Sequence, residues 1–331
     1  MGDTPPSLTD SPKAKRVFIV ACRRSGTTWV TMLLSQHPQV VGVQQSSFFH
    51  RVDYLAKYLD EDVKYGRHII TAEAKADSGK QDAAVSSELA RRPIRAAIPL
   101  ERFHYHMRAF AEEVYDRLAQ CTDDTLAVVD HQPENVRSWK HIIEIFPDAY
   151  FLHVVRDPRS VYSSYVHSAK SWSNPATFPT DPRAFSAEWK SDVSVGREIR
   201  LRTERHLEVR YEELIANGPA QLRRIHEFLG LEASDEERVE AIEACSLDRL
   251  RASAHGPRDF FRKGQARGWK AEVPRSRVEV IEYECGPLMD ELGYARNFVK
   301  GNSKPLSMRV RDKFRHLRWS LQRRVRRQGS A

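Results

Sequence analysis

The sequence predicts an α/β protein with a mostly parallel central sheet and helices on both faces, stacked as a three-layer sandwich. Two observations carry that prediction. Continuous apolar runs such as "VFIVAC" (17–22) and "AYFLHVV" (149–155) read as strands buried on both faces. Each such run then passes through a short polar turn directly into helical periodicity, the mark of β-then-α units.

Taken in order, residues 17–22 form the first strand and 27–36 the helix that follows, ending before His37 and Pro38. Over 101–119 the spacing of Phe103, Met107, Phe110, Val114 and Leu118 predicts an amphipathic helix with those residues as its buried stripe. "TLAVVD" (125–130) returns to strand pattern, and "SWKHIIEIF" (138–146) is a helix stopped by Pro147. "AYFLHVV" is the next strand, and "RDPRSVYSSYVHSA" (156–169) passes from a polar turn into a helix. "HLEVRYEEL" (206–214) is a strand with a helix start at its end, and "PAQLRRIHEFLGL" (219–231) is a helix with Gly230 as its C-cap. Two stretches stand outside the alternation: the polar, Ala-rich residues 60–100, and "SWSNPATFPTDP" (171–182), a long loop carrying Trp172 and Phe178. Loops of that length are often lids or binding loops, so both are expected to border a ligand pocket. Ligands of such sheets sit at the carboxyl ends of the strands.

Length and composition set the frame. The 331 residues suit one large domain over 16–300, with a disordered tail over 1–15 and a basic helix over 301–331. A chain that is 40% hydrophobic and 30% charged is soluble and globular, and its longest apolar runs are far too short to span a bilayer. The start lacks the apolar centre of a secretion signal, and Pro6 stands where a myristoylation signal has Ser or Thr. Cys22, Cys121, Cys245 and Cys285 have no paired spacing, which argues against a zinc site or a disulfide framework and for a reducing cytoplasm. The net charge of +8 is concentrated in "SMRVRDKFRHLRWSLQRRVRRQ" (307–328), where Val310, Phe314, Leu317, Leu321 and Val325 recur at helical spacing among arginines. The remainder is close to neutral, so nucleic acid is not an expected partner. The basic helix is expected either to dock on its own domain or a partner subunit, a homodimer being one form, or to meet an anionic membrane surface.

The first turn, "RRSGTTWV" (23–30), carries the chemistry. A nucleoside triphosphate loop needs G-x-x-x-x-G-K-[ST]. Here Ala21 stands at the first Gly and Thr27 at the Lys; the cation has moved to Arg24, before Gly26. Backbone N–H groups from Ser25 to Thr28 at a helix N-terminus can cradle one phosphate without metal. That makes it a site for a 5′-phosphate carrying something other than a phosphate chain.

"RRSGTTW" resembles the 5′-phosphosulfate loop of sulfotransferases that use 3′-phosphoadenosine 5′-phosphosulfate (PAPS), a P-loop-like fold with the pattern [KR]-S-G-T-[TS]-W. "VVRDPRSVYSSY" is similar to that family's 3′-phosphate segment, with Arg156 and Ser164 at its eight-residue spacing. "VRYEEL" looks like its Tyr-Glu-[DE]-[LM] segment, and "FFRKGQARGWK" like its R-K-G-x-x-G-D-W-K signature. The resemblance implies that Arg24 lies over the sulfate, and that Ser25, Gly26, Thr27 and Thr28 hold the 5′-phosphate. It puts Trp29 and Tyr211 beside the adenine and Arg156, Ser164, Arg262, Lys263 and Gly264 on the 3′-phosphate, and counts Phe260 among the donor-binding residues. The implied product is 3′-phosphoadenosine 5′-phosphate (PAP), with no metal. Arg forks, Ser hydroxyls and backbone amides suit a phosphate dianion.

In "AVVDHQPEN", His131 follows a strand and precedes x-Pro, as the catalytic His does in the family's cytosolic members. In other members a Lys stands there and a Glu further upstream is the base; here that place falls near Gln45, which cannot take a proton. The departure favours His131 as the base. Asp130 either orients it or caps the strand, and Glu134 is the spare carboxylate. His104, His106, His153 and His167 are read as structural. The acceptor, a small molecule, sugar or lipid offering a hydroxyl or amine, is left open by the unpatterned stretches 44–110 and 165–190. The rival readings are a small-molecule kinase or nucleotidase, and an inert bisphosphate-binding protein recruited through its basic end.

Overall fold

In the computed structural model of the chain the described residues are 14–43, 46–57, 99–119, 124–171, 177–246, 249–250, 268–301, 303–305, 308–310 and 312–313. The expectations for the N-terminal tail, for Gln45, Cys121, Trp172, Phe260, Arg262, Lys263 and Gly264, and for most of the basic C-terminal stretch lie outside them.

Five strands, β1 (Lys15–Val20), β2 (Val40–Val43), β3 (Ala127–Asp130), β4 (Tyr150–Val155) and β5 (His206–Arg210), form one sheet in the order β2-β3-β1-β4-β5. Every neighbouring pair is parallel. The α/β class is therefore as the sequence predicts. β1 is central, and the chain builds β2 and β3 on one side of it before crossing to β4 and β5 on the other. Such a reversal opens a crevice beyond the carboxyl ends of the strands, here those of β1, β3 and β4.

The helices are α1 (Thr27–Leu34), α2 (Leu100–Ala119), α3 (Trp139–Ile145), α4 (Pro158–Ser171), α5 (Pro182–Ile199), α6 (Tyr211–Ala216), α7 (Gly218–Leu229), α8 (Asp235–Ala244), α9 (Trp269–Glu272), α10 (Arg275–Glu284) and α11 (Gly286–Glu291). Residues 48–57 are also helical, and Pro133–Val136 forms a 3₁₀ turn. Alternate residues of β1 face opposite ways. Phe18 and Val20 join Phe49, Tyr115, Ile142 and Phe146 on one face of the sheet, while Val17 and Ile19 join Val30, Leu34, Leu222 and Ile225 on the other. A third cluster, built on Tyr162, Tyr165, Phe185, Trp189 and Ile281, ties α4, α5 and α10 together. Among the described residues no helix is long and apolar enough to cross a membrane.

Two expectations, the buried stripe of α2 and the place of Phe178, need correction. On α2 the buried residues are Phe103, His104, Ala111, Tyr115 and Ala119, whereas Phe110 and Leu118 are more than half exposed. The helix is turned so that Tyr115 reaches the Asp130 carboxylate, a hydrogen bond that apolar periodicity does not see. At the end of the stretch expected as a loop, 171–182, α5 starts at Pro182, and Asp181 caps the N–H groups of Arg183 and Ala184 at 3.0 Å each. Phe178 is not presented to a pocket: it is buried, edge-on against Tyr165 with ring centroids 5.2 Å apart.

The turn after β4 is fixed by buried charge. Arg159 is held by Asp157 and, at 2.6 Å, by Glu282, and its guanidinium lies 4.2 Å from the centroid of Trp269. Glu282, with no exposed surface, also accepts the backbone N–H groups of Asn297, Phe298 and Val299 at 2.7 to 3.0 Å. One carboxylate therefore locks the segment after α11 onto the start of α4. Glu282→Ala leaves Arg159 short of a partner and three amides unmet, so the expected loss is about 3–5 kcal/mol of stability, read as the shift of the urea midpoint.

Candidate active site

The crevice is built first from the turn that leaves β1. Arg24 has φ 64° and Gly26 φ 96°, two left-handed residues around Ser25 that fold the chain back before α1 begins at Thr27. A left-handed arginine is strained by about 1–3 kcal/mol. Gly26 is required twice over: its φ suits glycine, and a Cβ there would lie 2.4 Å from the Tyr211 ring. α1 has no side-chain cap and no acidic residue in its first turn. The Ser25 hydroxyl is buried with no hydrogen-bond partner among the described residues. Uncapped amides and an unmatched buried hydroxyl are what a phosphate would satisfy.

Side chains from β4, α4 and α6 close around that loop. Arg24 Nε donates to Ser164 Oγ at 3.1 Å, and Arg156 Nη1 donates to the Arg24 carbonyl at 3.2 Å. The Arg156 guanidinium rests 4.1 Å from the Tyr211 ring centroid, and Tyr211 meets Trp29 edge-on at 5.5 Å. Trp29 Nε1 donates to the Cys245 carbonyl at 2.9 Å. Among the described residues no carboxylate lies within ion-pair distance of Arg156, and its Nε is buried without a partner, so its charge is open to an anion. The structure thus gathers Arg24, Ser25, Gly26, Thr27, Trp29, Arg156, Ser164 and Tyr211 at one place, with Thr28 in the first turn of α1. Tyr211 is buried beneath Gly26 and buttresses the loop.

His131 stands just past the end of β3 and is 5% exposed. Its Nδ1 lies 3.1 Å from the Val43 carbonyl. A carbonyl only accepts, so Nδ1 carries the hydrogen and Nε2 keeps its lone pair. Burial pulls the imidazole below its ordinary 6.5, against the opposing effects of Asp130 and the Val43 carbonyl. Asp130 does not orient it. That carboxylate accepts from Tyr115, from Ser46 at 2.7 Å and from the Gln132 N–H at 3.0 Å, which makes it a cap on the strand end. Glu134 accepts from Gln132 Nε2 at 2.5 Å and lies 3.8 Å from Arg23.

Sequence reasoning missed Arg23, Arg137 and Glu188. Arg23 points away from Arg24, between the rings of Tyr165 and Phe178 at 5.8 and 5.4 Å, and binds Glu188. The available signal was a pair of acids, Glu188 and Asp192, four residues apart on an otherwise apolar helix face. Cys22 joins those two acids in a set of potential metal ligands within 4.8 Å of one another. The set does not fit a metal, because Arg23 and Arg137 already occupy the carboxylates and burial pushes the Cys22 thiol up, keeping it protonated. His104 bonds His141 at 2.8 Å and His153 is buried in the sheet, both structural as expected.

Comparison with known proteins adds three findings. The model of the Sulfotransferase family matches residues 16–235. An omega-hydroxy-beta-dihydromenaquinone-9 sulfotransferase, Stf3 of Mycobacterium bovis, is 29% identical over 57% of this chain and 45% of its own length. A protein-tyrosine sulfotransferase of Drosophila melanogaster is 21% identical over 84% of this chain and 51% of its own length. The chain spans about half the length of these curated relatives. Among solved structures, the sulfotransferase domain of the Synechococcus PCC 7002 olefin synthase superposes with a TM-score of 0.50 at 18% identity, covering 86% of this chain and 98% of that one. The sulfotransferase domain from the curacin biosynthetic pathway gives the same score and identity over 87% and 100%. Both agree with the five-stranded parallel fold.

The loop geometry gives one expected outcome of its own. Gly26→Ala forces a β-carbon into the Tyr211 ring and a side chain onto a left-handed backbone, so stability should fall by about 1–3 kcal/mol. In the background of Tyr211→Ala, which removes the ring and carries its own cost, the further loss caused by Gly26→Ala should be smaller, and a double-mutant cycle by denaturant titration of both single variants and the double variant reads that difference.

Proposed function

The chain belongs to the sulfotransferase family, and on that premise we propose that it moves the sulfuryl group of PAPS to a hydroxyl by in-line transfer, with His131 as general base. The observation that carries the reading is the convergence of Arg24, Arg156 and Ser164 around a loop that leaves α1 uncapped and the Ser25 hydroxyl unmatched. Those residues fit a donor whose 5′-phosphate meets the α1 amides and whose 3′-phosphate meets Arg156 and Ser164. Arg262, Lys263 and Gly264 complete the second phosphate site in this proposal, Trp29 and Tyr211 flank the adenine, and Phe260 belongs to the same donor site.

The proposed step balances simply. The acceptor O–H gives its proton to His131 Nε2 while its oxygen bonds to sulfur. The bond from sulfur to the bridging oxygen of the 5′-phosphate breaks, and its electron pair stays on that oxygen. Arg24 and the α1 N-terminus stabilise the charge that develops there. The products are a sulfate ester and PAP, and the imidazolium returns its proton to solvent. Asp130, Tyr115 and Ser46 hold the strand end, and the Val43 carbonyl fixes the tautomer. A kinase reading is disfavoured because the loop has Thr27 where a triphosphate loop has Lys.

For the acceptor, a lipid alcohol comes first in the order of testing, since the mycobacterial relative carries a menaquinone in its name; sugars and phenols follow. The deciding experiment offers labelled PAPS with that panel and follows sulfate esters and PAP. Thermal shift by the 3′,5′-bisphosphate but not by ATP with magnesium supports the reading, and the reverse pattern defeats it.

Two outcomes follow for single variants. Arg156→Ala should weaken bisphosphate binding by about 1.5–3 kcal/mol, and calorimetry that finds the affinity unchanged would remove Arg156 from the donor site. His131→Ala should lower turnover roughly 10²- to 10⁴-fold with bisphosphate affinity kept. In the wild-type chain the rate should rise with pH through a midpoint below 6.5 and then level off, because burial favours the neutral, proton-accepting imidazole. That acidic limb should vanish in the His131 variant.

A further inference from the structure

Below the proposed donor loop lies a charge cluster that binds neither the donor nor the acceptor in the reading above. A single oxygen, Glu188 Oε1 on α5, accepts four hydrogen bonds. Arg23 supplies Nε at 3.1 Å and Nη2 at 2.7 Å, Arg137 supplies Nη2 at 3.1 Å, and Tyr165 its hydroxyl at 2.9 Å. Arg137 is also forked onto Asp192, at 2.9 and 2.8 Å. Two arginines face two carboxylates; the Asp192 side chain is only 3% exposed, while that of Arg137 is 45% exposed, so the cluster is buried on its acidic side and reaches solvent at Arg137.

The donors come from three different places. Arg23 adjoins Arg24 in the loop after β1. Tyr165 adjoins Ser164, which receives the Arg24 hydrogen bond. Arg137 ends the short stretch that begins at His131, with the 3₁₀ turn Pro133–Val136 between them as a stiff spacer. Each donor is therefore next to, or rigidly joined to, a residue assigned to the reaction, and all three converge on α5, which contributes no residue to that reaction.

We propose that Glu188 is a positioning residue that fixes the donor loop relative to the base, holding Arg23 and Arg137 to one point so that Arg24 and His131 keep their separation. The inference rests on the sulfotransferase reading of the site. In-line transfer depends on where the nucleophile stands relative to sulfur, whereas bisphosphate binding depends on the donor half alone. Loosening the tie should therefore cost turnover and spare affinity. Without Glu188, Arg23 retains Glu134 as its nearest carboxylate, 3.8 Å away, and a shift toward it would draw the loop to the His131 side.

The test compares the full wild-type chain with E188A and E188Q. Three quantities are read: melting temperature, Kd for the 3′,5′-bisphosphate by calorimetry, and kcat with KM for PAPS release of PAP using the acceptor found in the panel. A displacement of about 1 Å can cost on the order of 10²-fold. E188A should lose roughly 30- to 100-fold in kcat, with Kd and donor KM within about threefold of wild type. E188Q keeps an accepting oxygen without the charge and should recover part of the rate. If E188A does not fold, E188Q carries the test, with kcat lowered at unchanged Kd as the expected result. A folded variant with wild-type kcat overturns the proposal, and so does a parallel fall of kcat and affinity, which marks general loosening of the loop. Failure of the wild-type chain to bind the bisphosphate is a separate result: it overturns the donor-site reading and this inference with it.

Discussion

Positive charge packed at the carboxyl ends of β1, β3 and β4 is the constraint around which the rest of the molecule is arranged. Arg23, Arg24, Arg137, Arg156 and Arg159 crowd one end of the sheet, and burial of unpaired cations there would be prohibitive. Three of them are settled by acids: Arg23 and Arg137 by Glu188 and Asp192 of α5, and Arg159 by Glu282 of α10 together with Asp157, two residues before it. Arg156 is treated differently: among the described residues it has no carboxylate at ion-pair distance, and it meets the Arg24 carbonyl and the face of Tyr211. The left-handed turn at Arg24 makes this sorting workable, because it sends consecutive arginines to opposite sides of the loop. Charge is thus neutralised where it serves as structure and left available where an anion is to bind.

The central strands were legible because burial on both faces writes itself as unbroken apolar sequence: "VFIVA", "AVV" and "YFLHVV" sit where the pattern puts them. β2 was not, since "VVGV" has four residues, one of them glycine, and nothing in a window that short separates an edge strand from a loop. The buried face of α2 was misread because Phe110 and Leu118 are more apolar than Ala111 and Tyr115, which pack instead. Ala111 allows close approach, and Tyr115 is drawn inward by a carboxylate rather than by its own hydrophobicity. The starts of α5 and α8 did carry local signals, Asp181 before Pro182 and a capping box between Ser234 and Glu237, but capping signals gain force only beside an apolar period, and α8 has almost none.

For the site, the division is between spacing and assembly. Arg24, Gly26, Arg156, Ser164 and His131 could be picked out because each lies in a short local motif that resembles one of the sulfotransferase family. The tie through Glu188 could not, since Arg23 and Glu188 are 165 residues apart and share no pattern. Nor could the choice between two roles for Asp130, which turns on Tyr115 and Ser46 arriving from other elements.

The contact between Gly26 and Tyr211 bears on how the chain is made as well as on what it binds. The loop is encoded near the start of the chain, yet the ring that shapes it follows β5, and β1 has its partners in β3 and β4. The whole stretch from Arg24 to Tyr211 must therefore be synthesised before the turn after β1 has that ring to rest on. Long-range closure of that kind is slow and leaves apolar strands waiting. Until residue 211 has emerged, a nascent chain holds the sequence of the loop after β1 without the ring that supports its shape.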